Sequence, residues 1–564
     1  MPIARAESAP RAARSVLTGA AKAVDVAVAH PRASLLTLAA GQIAATVAFA
    51  LSVTHNGWLY YQGGDQIWYG TTGWSLGQLR LPNALVGYGW SLALAPLTWI
   101  TGPTFIQALP LIAVVNVLVM GPAALLCVYA IAERVGGRLL GLWSALLWVV
   151  APYAAIPLFV GRYHEKFVDQ FLPQALGLTA MADYFSMVVL LGAALFVLRS
   201  IDSRSWTDAA VAGALVGIAG GAKPPNFLFL TGAVLAYAGC RRPREALVFG
   251  AAIVPAVVTL LIWKSRGLGT LPLFSLGETH EALGAGSRFV AVQADLGRYQ
   301  VFDWNAWKQN MSNLREFFYS ARLAQWAPVA GAIIVFRRRA GVGALLVGWL
   351  AAFLVVKGAS PLASIEGNSF FRLLMPAWPP YLLLLAAVPL LIPTLADHLG
   401  ERVMPARPGP AIGWKPAAAA VLVLCLVPLL TVALARPARS PEDVVLSDDG
   451  GNTLLTPVDS SIDVSAVRRR AAVVLTWSAG AWRAGVSYRV MRTKDAGPDS
   501  TCTTAGVTSC LLTMETIGVT RERRFVDTAA PPGATYRIGA TADYRNPPTG
   551  GDMFAVSPPV RATP

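Results

Sequence analysis

The chain has 564 residues, of which 55% are hydrophobic and only 14% charged, with a formal net charge of +15 and a mean hydropathy of +0.52. A soluble domain carries nearer a quarter charged residues, so the composition excludes a long soluble chain. The Lys and Arg residues fall in small clusters between apolar runs and form no basic stripe, which excludes a nucleic-acid footprint.

The apolar runs match a bilayer core about 30 Å thick. The expected fold is therefore mainly α, a polytopic membrane protein with about eleven transmembrane helices, followed by an extracytoplasmic all-β sandwich. Residues 1–32 form a basic tail carrying Arg5, Arg11, Arg14, Lys22 and Arg32. That tail is assigned to the cytoplasm. The first apolar run, 34–53, could be a signal peptide ending near the small residues Ala48 and Ala50. Its basic region is too long for that, and it reads as an uncleaved anchor.

Further spans are predicted at 106–132, 139–158, 180–198, 209–222, 227–238, 246–263, 326–336, 342–356, 378–395 and 417–435. Alternation then places Arg134 and Arg138 inside. It does the same for Arg199 and Arg204, for Arg241, Arg242 and Arg244, for Arg337 to Arg339, and for Arg402, Arg407 and Lys415. Each predicted inside loop is basic, as the positive-inside rule requires. The outside receives the 54–105 loop with Asp65, the loop "GRYHEKFVDQFLPQALGLTAMADYF", the 264–325 loop, "EGNSFFRLLMPAWPP" and everything after Arg436. In the first outside loop, Trp68, Trp74, Trp90 and Trp99 suit interfacial anchors, and Trp304, Trp307, Phe317, Phe318 and Tyr319 suit a helix lying at the membrane surface.

From about residue 441 the spans cease. Short alternating runs such as "AAVVLTW", "VSYRVMR" and "ATYRIGATADY" read as a small β-sandwich. They resemble a fibronectin type III domain, with Trp477 as the buried tryptophan of its second strand and Tyr536 as its corner tyrosine. Cys502 and Cys510 lie in this region, where an oxidising exterior lets them pair in a disulfide, the alternative being two unrelated thiols. Cys127, Cys240 and Cys425 lie in or beside spans as apolar filling. The expected domains are the tail 1–32, a transmembrane catalytic domain 33–435, and a linker with sandwich 436–564.

Several chemistries lack their motifs. No phosphate-binding G-x-x-x-x-G-K-[ST] occurs, and "HEKFV" has Val168 where a zinc-binding helix needs its second histidine. Five histidines spread along the chain argue against a histidine-built metal site, so no metal ligands are assigned. Asp65, in "LYYQGGDQIWYGTTGW", is an isolated carboxylate soon after the first span. A solvated turn residue or a helix cap is the plain alternative to a functional role.

The order of elements shifts that balance. An early exterior acid, a second acidic loop ending "MADYFSMVVLLGAALFVLRS", then "AGGAKPP" and "FFRLLMPAWPP", resembles the GT-C superfamily of membrane glycosyltransferases. The closest likeness is to its protein O-mannosyltransferase and aminoarabinose-transferase branch, across about residues 33–435. Where that branch often carries Asp-Glu, this chain has Asp65-Gln66. The resemblance implies an inverting transfer of a sugar from a polyprenyl-phosphate donor to an acceptor at the outer face of the cytoplasmic membrane. The acceptor would be a cell-envelope glycan, a lipid or a protein.

Such a donor already carries a good leaving group. The chemistry needs one carboxylate to take the acceptor's proton and cations to hold the phosphate. Asp65 fits the base. Lys223 and Arg372 fit donor-phosphate ligands, with a snorkelling lysine and an interfacial anchor as their plain alternatives. Asp183 fits a second catalytic acid or a helix-capping carboxylate. Arg162, His164, Glu165, Lys166 and Asp169 form either an acceptor-binding loop or a solvated, self-paired cluster. No cofactor is certain from these residues; relatives in this superfamily differ in their need for a divalent cation, which leaves Mg or Mn open. A transporter or lipid flippase is the rival reading. It would show paired repeats and mid-membrane polar groups, whereas the ionisable residues here gather outside the spans. A non-catalytic scaffold displaying the sandwich would leave the first outside loop without a role.

Overall fold

The computed structural model describes residues 22–52, 64–81, 84, 86–161, 172–268, 302–317, 321–360, 363, 370–393, 399–405, 409–437, 444–449, 452–479, 486–493, 510–512, 514–543, 546–551 and 553–563. Its helices are α1 (Pro31–Ser52), α2 (Gly64–Gly77), α3 (Tyr88–Thr101), α4 (Phe105–Val115), α5 (Gly121–Ala155), α6 (Ala182–Ser203), α7 (Trp206–Ala222), α8 (Phe229–Gly239) and α9 (Pro243–Leu268). They continue as α10 (Trp304–Phe317), α11 (Ala321–Arg338), α12 (Ala340–Val356), α13 (Phe370–Leu374), α14 (Trp378–Ala387), α15 (Trp414–Val421) and α16 (Val427–Leu434). Each apolar segment expected to span is largely helical.

Six described helical segments are long and apolar enough to cross a membrane: Pro31–Ser52, Phe105–Leu158, Ala182–Ser203, Pro243–Arg266, Phe370–Leu391 and Trp414–Leu434. The second is 54 residues long, which as one straight helix would extend about 80 Å. It is broken instead at Gly136 (φ −142°, ψ 33°) and Gly137 (φ 65°, ψ −170°). The positive φ of Gly137 falls where glycine alone pays no steric penalty. Beyond the break the chain folds back, so that a Cβ on Gly141 would stand 2.8 Å from the Tyr129 ring. The expectation of about eleven spans counts these two halves separately and adds the shorter helices α7, α8, α11 and α12.

Side-chain bonds sort the loops into two ends. Arg134 pairs with Asp202 at 3.2 Å, Arg199 donates to the Pro410 carbonyl, Arg242 to that of Ile201, and Arg338 to that of Val403. All five basic loops therefore meet at one end of the bundle. At the other end Lys264 donates to the Ala84 carbonyl, the Asp303 amide to the Ala359 carbonyl, and the Val160 amide to the Phe317 carbonyl. Helix α6, 22 residues long, reaches about 33 Å from one end to the other.

Packing inside the bundle relies on small residues. Gly213 and Gly217 of α7 face Phe249, Ala252, Ile253 and Ala256 of α9, and a Cβ at Gly213 would overlap the Phe249 carbonyl oxygen. Close approach of this kind replaces hydrophobic collapse as the source of helix association in lipid. The peripheral helices leave large apolar side chains outward: Leu36, Leu51, Leu247, Val254, Val423 and Leu434 are all exposed.

The C-terminal strands are β3 (Val444–Asp449), β4 (Asn452–Pro457), β5 (Asp463–Arg469), β6 (Ala472–Ser478), β7 (Val486–Thr493), β8 (Cys510–Leu512), β9 (Met514–Thr520), β10 (Arg524–Asp527), β11 (Thr535–Ala542), β12 (Met553–Val556) and β13 (Val560–Arg561). One sheet runs β10-β6-β5 and another β12-β11-β7-β9, with β13 also on β11. Val473, Leu475 and Trp477 of the first pack with Tyr488, Val490, Tyr536 and Ile538 of the second. Trp477 lies edge-on to Tyr488 at 5.4 Å, and Tyr536 donates its hydroxyl to Asp527 at 2.8 Å. A third sheet, β4-β3-β8, adds to these. Ties to the bundle include β1 (Arg80–Leu81), which pairs in parallel with β2 (Arg436–Pro437), and Thr104, which donates its hydroxyl to Asp459 at 2.7 Å.

The α7–α9 packing makes a testable demand. Gly213→Leu is expected to cost about 1–3 kcal/mol through overpacking, read as a lower melting temperature of the detergent-solubilised protein. Gly250→Leu, where an added Cβ meets nothing within 4 Å, should leave the transition in place. Equal melting of the two variants would contradict the packing described.

Candidate active site

Four of the expected site residues come together at the end of the bundle opposite the basic loops. Asp65 sits in the first turn of α2, where the helix dipole favours a carboxylate. Asp183 sits in the first turn of α6 and is buried, with 2% of its side chain exposed. Lys223 follows the last turn of α7, its amide bonded to the Ala219 carbonyl at 2.9 Å. Arg372 lies in α13.

The contacts form a chain of charge. The Lys223 ammonium donates to Asp183 Oδ1 at 2.6 Å. Arg372 donates to Asp65 Oδ2 through its terminal nitrogen, and its Nε stands 3.7 Å from Asp183 Oδ2. Arg372 thus lies between the two carboxylates. Asp183 Oδ2 is buried and accepts no hydrogen bond among the described residues. Burial depresses the Lys223 ammonium below its usual range, while Asp183 acts in the opposite direction.

Local sequence explains the positioning. Pro224 and Pro225 fix the backbone after Lys223, and Asn226 donates its side-chain amide to the Ala219 carbonyl at 2.8 Å. The end of α7 is clamped by the start of α3. The ring of Tyr88 covers Gly221, and Gly87 and Gly89 lie against the backbone of residues 218–222 too closely to admit a Cβ. Gln66 is buried and its side-chain oxygen accepts from the Ala180 amide at 2.8 Å, which fastens α2 to the approach to α6. Trp90 donates to the Ala180 carbonyl at 2.7 Å and packs on Phe185 at 4.8 Å. It is buried, so the expected interfacial role fails for it; a satisfied indole N–H in an apolar pocket is the physical reason. Trp99, by contrast, is 69% exposed.

Two site residues escaped the sequence reading. Tyr69 lies one helical turn after Asp65 and is buried; burial, followed by Asp65 and Asp183, holds its hydroxyl well above its usual range and so neutral. The i, i+4 spacing was the available signal. Lys357 ends α12, is buried, and lies close enough to feel the Lys223 charge. Its signal was the one that marked Arg372, a cation beside the end of an apolar run away from the basic loops. Arg162, His164, Glu165, Lys166 and Asp169 lie outside the described residues, as does Cys502. Cys510 belongs to β8, whose backbone pairs in parallel with β3. Among the described residues no three His, Cys, Asp or Glu side chains gather, and Arg372 occupies the space between the two acids.

No family model and no curated protein matches the chain. Among solved structures it is similar to the archaeal oligosaccharyltransferase AglB from Archaeoglobus fulgidus in complex with an inhibitory peptide and a dolichol-phosphate, at 14% identity and a TM-score of 0.40, covering 72% of this chain and 55% of that one. The apo form of the Archaeoglobus fulgidus oligosaccharyltransferase gives 13% identity and 0.37 over 71% and 56%. Its complex with Zn and sulfate gives 13% and 0.38 over 71% and 52%. The chain spans about half the length of these structures, and at such TM-scores the likeness decides neither fold nor function.

The Asp183–Lys223 pair yields a stability test. Asp183→Asn leaves a buried ammonium without its partner and is expected to cost about 3–5 kcal/mol. The double variant Asp183→Asn, Lys223→Met should recover most of the loss in a thermal unfolding series. Additive losses would show that the two groups do not depend on each other.

Proposed function

We propose that this chain is a polytopic membrane glycosyltransferase of the GT-C type, moving a sugar from a polyprenyl-phosphate donor to an acceptor at the outer face of the cytoplasmic membrane with inversion. The observation that supports it is the convergence of two carboxylates and two cations, Asp65, Asp183, Lys223 and Arg372, from four separate elements at the bundle end opposite the basic loops. In this reading the two cations take the donor phosphate. Asp65 accepts the proton of the acceptor hydroxyl as its oxygen attacks the anomeric carbon. The bond to the phosphate oxygen breaks, and its electron pair leaves with the lipid phosphate.

The pairing of Asp65 with Arg372 gives the sequence of events a physical basis. Arg372 holds the carboxylate oxygen of Asp65 that would take the proton. A phosphate offers Arg372 a competing bidentate partner, so donor binding frees Asp65 for proton transfer. Asp183, nearly buried and holding Lys223 while facing Arg372, is a positioning residue for both cations. No step is routed through a metal ion.

The topology belongs to the same reading. The gathering of all five basic loops at one end supports an inside face there, with about eleven crossings and the sandwich outside. The strand orders β10-β6-β5 and β12-β11-β7-β9, with Trp477 and Tyr536 buried between them, support a fibronectin type III-like domain. A transporter or flippase has weaker support, because the charged groups sit at a bundle end.

Asp65→Asn in proteoliposomes supplied with labelled polyprenyl-phosphate hexoses and pentoses is expected to lower transfer by about 10²–10⁴-fold with folding retained. Unchanged transfer removes the assigned base, and movement of intact donor across the bilayer without transfer favours the flippase. The outward face has its own check. In intact cells an impermeant thiol reagent should label Arg523→Cys and spare Arg241→Cys in a background lacking the native cysteines. The reverse pattern places the site on the cytoplasmic side and ends the proposal.

A further inference from the structure

The ends of α6 and α8 lie side by side at the basic end of the bundle. Ser200 and Tyr237 share a hydroxyl hydrogen bond of 2.8 Å, and Arg242 Nε donates to the Ile201 carbonyl at 3.2 Å. The first turn of α12 closes against both helix ends, since a Cβ on Gly341 would stand 2.6 Å from Cys240 Sγ and 4.0 Å from Ile201 Cγ2. One turn beyond the bonded pair, each helix stops on an arginine in the left-handed conformation: Arg204 after α6 (φ 53°, ψ 39°) and Arg241 after α8 (φ 54°). Glycine commonly fills that place because it has no Cβ to clash. Here two neighbouring helices keep an arginine instead.

Arg244 is a third cation set against local preference. It lies in the first turn of α9, where the helix dipole opposes positive charge. Arg204, Arg241 and Arg244 are all exposed, and among the described residues no ion pair or side-chain hydrogen bond engages them. The acids of the adjoining turns are engaged or buried: Asp202 pairs with Arg134, Asp208 with Arg199, and Glu245 is buried. The undescribed stretches that the alternation assigns to this end, 1–21, 394–398 and 406–408, bring Glu7 and Asp397 but also Arg5, Arg11, Arg14 and Arg407, so they add to the positive excess. A topology signal needs only charge, wherever along an inside loop it falls. It gives no reason to hold particular arginines in strained positions.

The surroundings identify the anion. Val234 and Leu235 on α8 and Leu247 on α9 are exposed apolar side chains within two turns of the arginines, a surface that lipid covers. The exposed Trp206 at the start of α7 suits the headgroup level. Guanidinium forks pair bidentately with phosphate oxygens. A zwitterionic headgroup would bring its own cation into a region already in positive excess, so the charge balance favours a headgroup that is negative overall.

We infer that Arg204, Arg241 and Arg244 form a binding site for the phosphate of an anionic phospholipid at this end of the bundle. The inference stands apart from the donor-phosphate reading, whose residues lie at the other end.

The test titrates the full chain in detergent with phosphatidylglycerol and with phosphatidylcholine, counting retained lipid by native mass spectrometry. The wild type is expected to prefer phosphatidylglycerol. Arg204→Gln, Arg241→Gln and Arg244→Gln together should lower that preference at least about tenfold, given roughly fivefold per lost cation near a charged headgroup. Lys22→Gln, Arg32→Gln and Lys415→Gln together remove the same charge from the approach to α1, from α1 and from α15, and should keep the preference. An equal loss in this control makes the effect one of net charge and overturns the site. Arg204→Gly with Arg241→Gly separates binding from folding. It should weaken the preference yet melt no lower than the wild type without added lipid, because glycine relieves both left-handed positions. A lower melting temperature assigns the two arginines to the fold, and a wild type that holds both lipids equally overturns the inference. Displacement of phosphatidylglycerol by equimolar glycerol phosphate assigns the site to a soluble phosphate and overturns the lipid as its ligand.

Discussion

Arg372 bridging Asp65 and Asp183, with Lys223 on the far side of Asp183, is the interaction from which the rest of the molecule takes its meaning. Where water is scarce a charge must find a partner, and removing one member of such a network is far more damaging than never having built it. Residues 307 positions apart are joined in this way. The network therefore does more than decorate a bundle end. It ties the start of α2, the starts of α6 and α13 and the end of α7 to one another.

The scaffold around it is arranged so that these charges cannot drift. Gly87 and Gly89 allow α3 to lie directly on the end of α7, and the two prolines after Lys223 stop that helix at a defined point. Gln66 and Trp90 both bond to Ala180, just before α6 begins. Helix α2 carries Asp65 and Tyr69 on one face. The same end of the bundle is tied to the C-terminal strands through β1 and β2 and through Thr104 and Asp459. A site positioned by packed elements in this manner keeps its geometry better than one on loops alone.

Much of this was legible in the residues. The apolar runs became helices because their composition leaves them no other way to satisfy their backbone in lipid. The basic loops meet at one end, as their charges demanded. Alternating patterns became β5, β6, β7 and β11, with Trp477 and Tyr536 inside. Other features were misread or missed for reasons of the same kind. Trp90 looked like a surface anchor because an indole suits either an interface or a pocket with one acceptor, and only the Ala180 carbonyl decided which. The run from residue 105 to 158 turns at Gly136 and Gly137, the glycine pair that Arg134 and Arg138 flank. Tyr69 and Lys357 went unnoticed because an isolated tyrosine or lysine near an apolar segment is ordinary until its neighbours are known.

By itself the sequence determined which segments are helices, which are strands, which loops carry positive charge, and that Asp65, Asp183, Lys223 and Arg372 fall on the same side of the alternation. Those properties are local: they follow from side-chain solubility, backbone hydrogen bonding and turn chemistry over a few residues. Tertiary structure alone decided that the four groups meet, that Arg372 lies between two acids, and that Lys357 is buried after the end of α12. Pairing across hundreds of residues depends on how helices stack in three dimensions, and no short stretch of chain contains that information.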